Sequence, residues 1–243
     1  MKRLLIALLL MSLNGGALAA PPEVTIANTP WHPYFGEDLP EYGMAAEIIT
    51  NAFARSGYRT QFKTRPWSRA ILELKHGAHD ALATAYHTSE RAQLFRFSAP
   101  YMHSEVRLYQ QKDRGISWAD LEDLKPYHIG TVLNNAYSPA FDDADFLQKD
   151  AATSETLNIR KLAAGRIDLL VMDRYVFEYL ISRNPSYLGQ IEALEPALNS
   201  SPLHVMFSPQ AVDVENKILA FNRGLKAIMA DGELQRIISR HLK

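Results

Sequence analysis

Residues 80–101 read D-A-L-A-T-A-Y-H-T-S-E-R-A-Q-L-F-R-F-S-A-P-Y, a short apolar run followed directly by helix-start signals. D-A-L-A-T is the length and composition of a buried strand. Thr88 or Ser89 then supplies a hydroxyl that can accept an orphan backbone N–H at a helix start. Arg91 falls in the first turn of that helix, where the dipole already presents partial positive charge and Asp or Glu is favoured. A capping box on Thr88 would call for Glu or Gln at position 91, and the chain has Arg. A strand that feeds a helix without a linker is the unit of an α/β fold. The misplaced cation marks the joint between the two.

The same alternation continues on both sides. V-T-I-A-N (24–28) reads as a first strand, and Met44, Ile48, Ala52 and Phe53 share one helical face that stops at Gly57. Y-R-T-Q-F-K alternates as a strand, and the next helix opens at Pro66 and closes at Gly77. E-V-R-L-Y-Q-Q (105–111) is a longer strand leaving this unit. Beyond it, S-W-A-D-L-E-D-L carries a capping signature, Ser117 with Asp120. A second unit of similar size follows: strand H-I-G-T-V-L, a helix near Tyr137 to Leu147, and a helix from Ser154 to Ala164 stopped by Gly165. Strand I-D-L-L-V-M then delivers Asp173 to helix R-Y-V-F-E-Y-L-I. L-H-V-M-F-S (203–208) is a further strand, and two helices divided at Asp231-Gly232 close the chain. Two βαβ-type units with mostly parallel strands are expected, with ligands at the crevice outside the carboxyl ends of the strands.

The N-terminus, M-K-R-L-L-I-A-L-L-L-M-S-L-N-G-G-A-L-A-A, has two cations, an apolar run and an A-L-A ending at Ala19. These are the parts of a secretory signal peptide, residues 1–19, with an apolar run too short to span a bilayer. The chain carries 26 Lys+Arg against 27 Asp+Glu; without Lys2 and Arg3 the balance is 24 to 27, net −3. Such a faintly acidic chain without a basic run is a poor binder of nucleic acid or of anionic membranes. With no Cys, thiolate metal sites, Cys nucleophiles and disulfides are excluded together. A cysteine-free exported chain suits a bacterial periplasm.

Three residues stand at loop ends facing the expected crevice. Arg91 is either a solvated helix Arg leaning on Glu90 or a partner for an anion shared with the helix N–H groups. Asp173 is either the N-cap of the helix that follows or an acceptor for a ligand ammonium. Trp31, in T-P-W-H-P-Y-F after the first strand, either covers the core edge or stacks on a ligand, with Pro30 and Pro33 stiffening the loop. Trp67 reads as core, with Arg65 and Arg69 beside it open to the cleft. His76 and His79 read as surface residues. Nucleotide-binding glycine loops, a nucleophile elbow and a zinc-helix motif are all missing, so no cofactor, metal or catalytic residue is called for.

Residues 80–101, together with A-G-R-I-D-L-L-V-M-D (164–173) and L-K-A-I-M-A-D-G-E-L-Q-R-I (225–237), resemble the type II, family 3 periplasmic solute-binding proteins of polar amino-acid ABC transporters. The resemblance covers essentially the whole mature chain. It implies a two-lobed α/β binding-protein fold with the ligand cleft between lobes and a two-strand hinge. It divides the chain as 20–108 and 205–243 for lobe 1 and 109–204 for lobe 2. On this resemblance Arg91 takes a ligand α-carboxylate, Asp173 takes an α-ammonium, and Trp31 stacks on the ligand. The segment from Asp80 to Arg91 is one residue shorter than the family pattern, which leaves Thr84 as the candidate small hydroxyl with Tyr86 beside it. Asn134-Asn135, followed by Tyr137, replaces the usual Gly-Thr after the second unit's first strand, so Asn135 joins the candidate ligand-binding residues. The implied function is non-enzymatic: a monomer that closes on an amino acid or related carboxylate and hands it to an ABC permease. Two alternatives share the scaffold: a periplasmic lyase similar to cyclohexadienyl dehydratase, using Asp173 or Glu178 as acid or base, and a ligand-sensing component.

Overall fold

Ten strands form one curled sheet whose two ends are built alike. The computed structural model describes residues 20–133 and 135–242, so the expected signal peptide lies outside the described residues. In the first half, β1 (Glu23–Asn28), β2 (Arg59–Thr64) and β3 (Ala81–Tyr86) alternate with α1 (Met44–Ala54), α2 (Trp67–Lys75) and α3 (Ser89–Leu94). A two-residue strand, β4 (Arg96–Phe97), leads into the long β5 (Met102–Gln111). The second half comprises β6 (His128–Val132), α4 (Pro139–Asp142), β7 (Gln148–Ala152), α5 (Glu155–Ala163), β8 (Leu169–Asp173), α6 (Arg174–Ser182) and β9 (Ile191–Ala193). The long β10 (Asn199–Phe207) returns to the first half, where α7 (Val214–Ala230) and α8 (Glu233–His241) finish the chain.

The strand order is β2-β1-β3-β10-β5-β8-β6-β7. Its two flanks, β2-β1-β3 and β8-β6-β7, are each parallel, as βαβ crossovers require. Between them β10 and β5 run antiparallel, pairing Asn199 with Val106 through Leu203 with Met102. Beyond that segment each long strand is captured by a different flank: β5 pairs with β8 from Val106 to Tyr109, and β10 pairs with β3 from Leu203 to Phe207. Among the described residues, only these two strands carry the sheet from one half to the other.

Strand alternation sorts the core. In β8, Leu169 and Val171 pack with Leu108, Ile129 and Phe141 on one face, while Leu170 and Met172 join the larger cluster on the other. That larger cluster runs on through Val24, Ile26, Ile48, Phe53, Phe207 and Phe221. Helices α1 and α7 pack tightly at Gly224, where a Cβ would come within 1.7 Å of the Ala52 carbonyl oxygen.

Three local expectations are corrected. The helix expected near Tyr137 to Leu147 is one turn, Pro139–Asp142, capped by Ser138. Acidic residues crowd its C-terminal end, where the dipole disfavours them, and the Asp142 carboxylate turns back to accept the Tyr137 N–H at 3.0 Å. The cap expected at Ser117 is instead Asp120, which forms a capping box with Asp123. His79 is buried and bonded to Glu73 Oε2 at 2.9 Å rather than lying on the surface. Strand β7, Q-K-D-A-A, was not expected, because its sequence lacks the apolar alternation of a strand.

Candidate functional site

A cavity of about 420 Å³ opens where the carboxyl ends of β1, β3, β6 and β8 converge, with β5 across its floor. All six residues singled out in the sequence, Trp31, Thr84, Tyr86, Arg91, Asn135 and Asp173, line it. Trp67 does too, while also packing against the cluster of Ala70, Leu74 and Leu82 as expected, whereas Arg65 and Arg69 are drawn away to Glu73 at 3.1 and 2.6 Å. Thr29, Ser104, Tyr137 and Glu155 add polar groups to the lining, and Tyr34 stands behind it. Tyr34, Ser104 and Glu155 were not singled out in the sequence, because each acts from a different element.

Arg91 sits in the first turn of α3, where its backbone N–H is capped by Thr88 Oγ1 at 3.2 Å. Its guanidinium donates from Nη1 to the Tyr86 carbonyl at 3.0 Å and lies 4.9 Å over the Trp67 ring. Among the described residues it forms no ion pair, and Glu90 acts on it through its charge without a hydrogen bond. Burial pulls its pKa down more than Glu90 raises it, a cost that a closer opposing charge would remove.

Asp173 ends β8 and caps α6, accepting the N–H groups of Tyr175 and Val176 at 3.0 and 3.1 Å. Its other oxygen accepts the Ser104 hydroxyl at 2.8 Å, and the Tyr34 hydroxyl reaches both oxygens at 3.0 and 2.9 Å. The N-cap reading of this residue therefore holds, and its carboxylate also borders the cavity. Burial raises its pKa in spite of these donors. Ser104 in turn accepts the Tyr86 hydroxyl at 3.0 Å, so Tyr86, Ser104 and Asp173 form one chain of donors. Tyr34 crosses from the β1–α1 loop in the first half to a carboxylate in the second, and it stacks on Trp31 at 4.1 Å.

Thr84 explains how Tyr86 reaches this chain. Ala81 and Ala83 share one face of β3, and Leu82 packs on the other. Strict alternation would return Ala85 to the face of Ala83, yet it packs with Leu82. The switch occurs at Thr84, whose φ of +53° is rare for a β-branched residue, opposite a register shift between His204 and Met206. This bulge flips the rest of the strand by one residue. It turns Tyr86 to the face from which its hydroxyl meets Ser104.

Asn135 caps no helix; its N–H bonds the Val132 carbonyl at 3.1 Å, and its amide lies 3.5 Å from Glu155 Oε1. Among the described residues no cluster of His, Asp and Glu is arranged to hold a metal ion. No helix there is long and apolar enough to cross a membrane.

Two similar α/β lobes joined by two long strands, with a charged cavity at the strand ends between them, are the architecture of a type II binding protein that closes around a solute. The chain belongs to the bacterial extracellular solute-binding proteins, family 3, whose sequence pattern matches residues 24–243. It is 23% identical over 224 residues to the L-cystine-binding protein TcyA of Bacillus subtilis, covering 91% of this chain and 80% of that one. It is 27% identical over 137 residues to the probable ABC transporter extracellular-binding protein YckB of the same organism, a match spanning 55% of this chain and 47% of YckB. Among solved structures, the L-cystine solute receptor of Neisseria gonorrhoeae, unliganded and open, superposes with a TM-score of 0.74 at 19% identity, covering 91% and 93% of the two chains.

Proposed function

We propose that this protein captures an amino acid in the cavity between its lobes and delivers it to an ABC permease from the periplasm, after removal of residues 1–19. The observation that carries this reading is Arg91: a half-buried guanidinium on the cavity wall with no ion pair among the described residues. A ligand carboxylate forks onto it with two charged hydrogen bonds. Across the cavity Asp173 offers the complementary charge for an α-ammonium, which would exchange with the Tyr34 or Ser104 hydroxyl. Trp31 and Trp67 provide aromatic walls, and Thr84, Tyr86 and Asn135 provide hydrogen-bonding groups. TcyA and the gonococcal receptor, which bind L-cystine, support the amino-acid class.

The protein acts as a monomer that closes at its two bridging strands. Its lobes divide as 20–108 with 205–243, and 109–204. Binding rather than catalysis fits the acids available. Asp173 is held by four donors and is not a free base, and Glu178 does not line the cavity. A ligand of about ten heavy atoms at roughly 0.8–1 kcal/mol per atom gives about −8 to −10 kcal/mol, near or below micromolar. Leaving a desolvated ligand carboxylate unpaired costs on the order of 2–5 kcal/mol. Arg91→Ala therefore weakens amino-acid binding by about tenfold to a thousandfold or more and leaves the circular dichroism spectrum unchanged. Calorimetry giving equal affinities for the two proteins would refute the carboxylate assignment.

A further inference from the structure

The charged side chains that line the cavity, among the described residues, are Arg91, Asp173 and Glu155. Glu155 is the first residue of α5, and an acid there complements the helix dipole whether or not a ligand binds. The dipole does not account for what surrounds its carboxylate. It faces the cavity from the lobe opposite Arg91, and its one side-chain hydrogen bond is the 3.5 Å contact from the Asn135 amide. Asp173, by contrast, is met by four donors and belongs to the frame of the site. One cation and two anions leave the cavity with an excess negative charge. An α-amino acid with a neutral side chain adds one charge of each sign and leaves that excess uncompensated.

We infer that Glu155 is a specificity-determining residue that pairs with a second cation on the ligand. The solute is then an amino acid whose side chain carries an ammonium or guanidinium. This rests on the amino-acid reading above and extends it to the substrate class. Arg91 takes the carboxylate, Asp173 the α-ammonium, and Glu155 the side-chain cation, so that closure of the lobes buries three opposed pairs. Asn135 positions the Glu155 carboxylate through its amide and has no charge of its own to compete for the ligand.

The test is calorimetry of the purified protein with L-lysine, L-arginine, L-glutamine and L-alanine, on wild type, Glu155→Gln and Glu155→Asp. Wild type is expected to bind lysine or arginine about tenfold or more tighter than glutamine, as a desolvated charge pair allows. Glu155→Gln is expected to bring the ratio of lysine to glutamine affinity toward one, and Glu155→Asp to restore part of it. A residue that merely starts α5 would change thermal stability and leave the ratio of affinities alone. Equal binding of lysine and glutamine by wild type, or an unchanged ratio in Glu155→Gln, overturns the assignment. If both amino acids still depend on Arg91 in that case, the amino-acid reading stands without it. Absence of binding to all four ligands removes the Glu155 assignment, and titration with L-cystine, which TcyA and the gonococcal receptor bind, then decides the amino-acid reading.

Discussion

Asp173 shows how one side chain can both cap a helix and border the cavity. Its carboxylate caps α6, accepts hydroxyls from Ser104 on the bridging strand and Tyr34 on the opposite lobe, and still borders the cavity. Burial is the largest influence on its titration and favours the neutral form, so it protonates at higher pH than an ordinary Asp. In the ligand-free protein the sign follows from linkage. The contribution of this group to stability is fully present below the unfolded-state pKa of about 3.9 and is lost as pH rises through the higher folded value. Ligand binding runs the other way, because an ammonium beside the carboxylate stabilises its ionised form. Affinity for an amino acid should therefore fall as pH is lowered from neutral through the raised pKa of Asp173, and binding at the acidic end should release a proton. Calorimetry in two buffers of different ionisation heat reads that proton directly. Affinity that holds constant across this range, with no proton released, would place the ligand ammonium elsewhere.

Among the elements, the α1–α7 contact makes the sharpest demand on sequence. A methyl at Gly224 would fall 1.7 Å from the Ala52 carbonyl oxygen, a backbone atom that no rotamer change can move. Gly224→Ala should cost about 3 kcal/mol or more, the upper end of what overpacking imposes. Because neither helix lines the cavity, its ligand affinity should match wild type; urea unfolding and calorimetry measure the two separately. The regular elements that position the cavity were legible because their signals are local. Gly57, Gly77 and Gly165 end helices in left-handed conformations, and Thr88, Ser154 and Asp173 begin them. Strand β7 and the single-turn α4 were not legible, since β7 is held by pairing with β6 and α4 is cut short by acids at its end. The bulge at Thr84 was invisible for a similar reason. Nothing in A-L-A-T-A-Y announces a left-handed Thr, and it is the register against β10 that requires it. Tyr34, Ser104 and Glu155 come together only once three separate loops and strands have been folded side by side.

At the scale of the whole molecule, the two lobes are joined by two strands, by side-chain contacts such as Tyr34–Asp173, and by an apolar cluster that reaches from Leu170 and Met172 into the first half. The backbone part of any opening and closing is expected where β5 and β10 pair with each other, residues 102–106 against 199–203. The Tyr34–Asp173 bond spans the same gap beside the cavity, so lobe geometry and the site's principal acid are mechanically linked. A ligand that pairs with Arg91 on one lobe and with acids on the other gains most when the lobes approach, because both charges then leave water together. It shifts the population toward the closed form only to the extent of that differential affinity. A ligand at 100 times its dissociation constant adds about 2.7 kcal/mol to stability. For a chain of this size that raises the melting temperature by about 5–10 °C. Small-angle scattering on the same sample should show a smaller radius of gyration with ligand than without. Arg91→Ala at the same ligand concentration should show a smaller melting shift, from about half of wild type at tenfold weaker binding to none at a thousandfold, with compaction reduced in step, since one lobe has lost its grip. A full melting shift without compaction would mean that the ligand binds to one lobe alone, and closure would then have no part in capture.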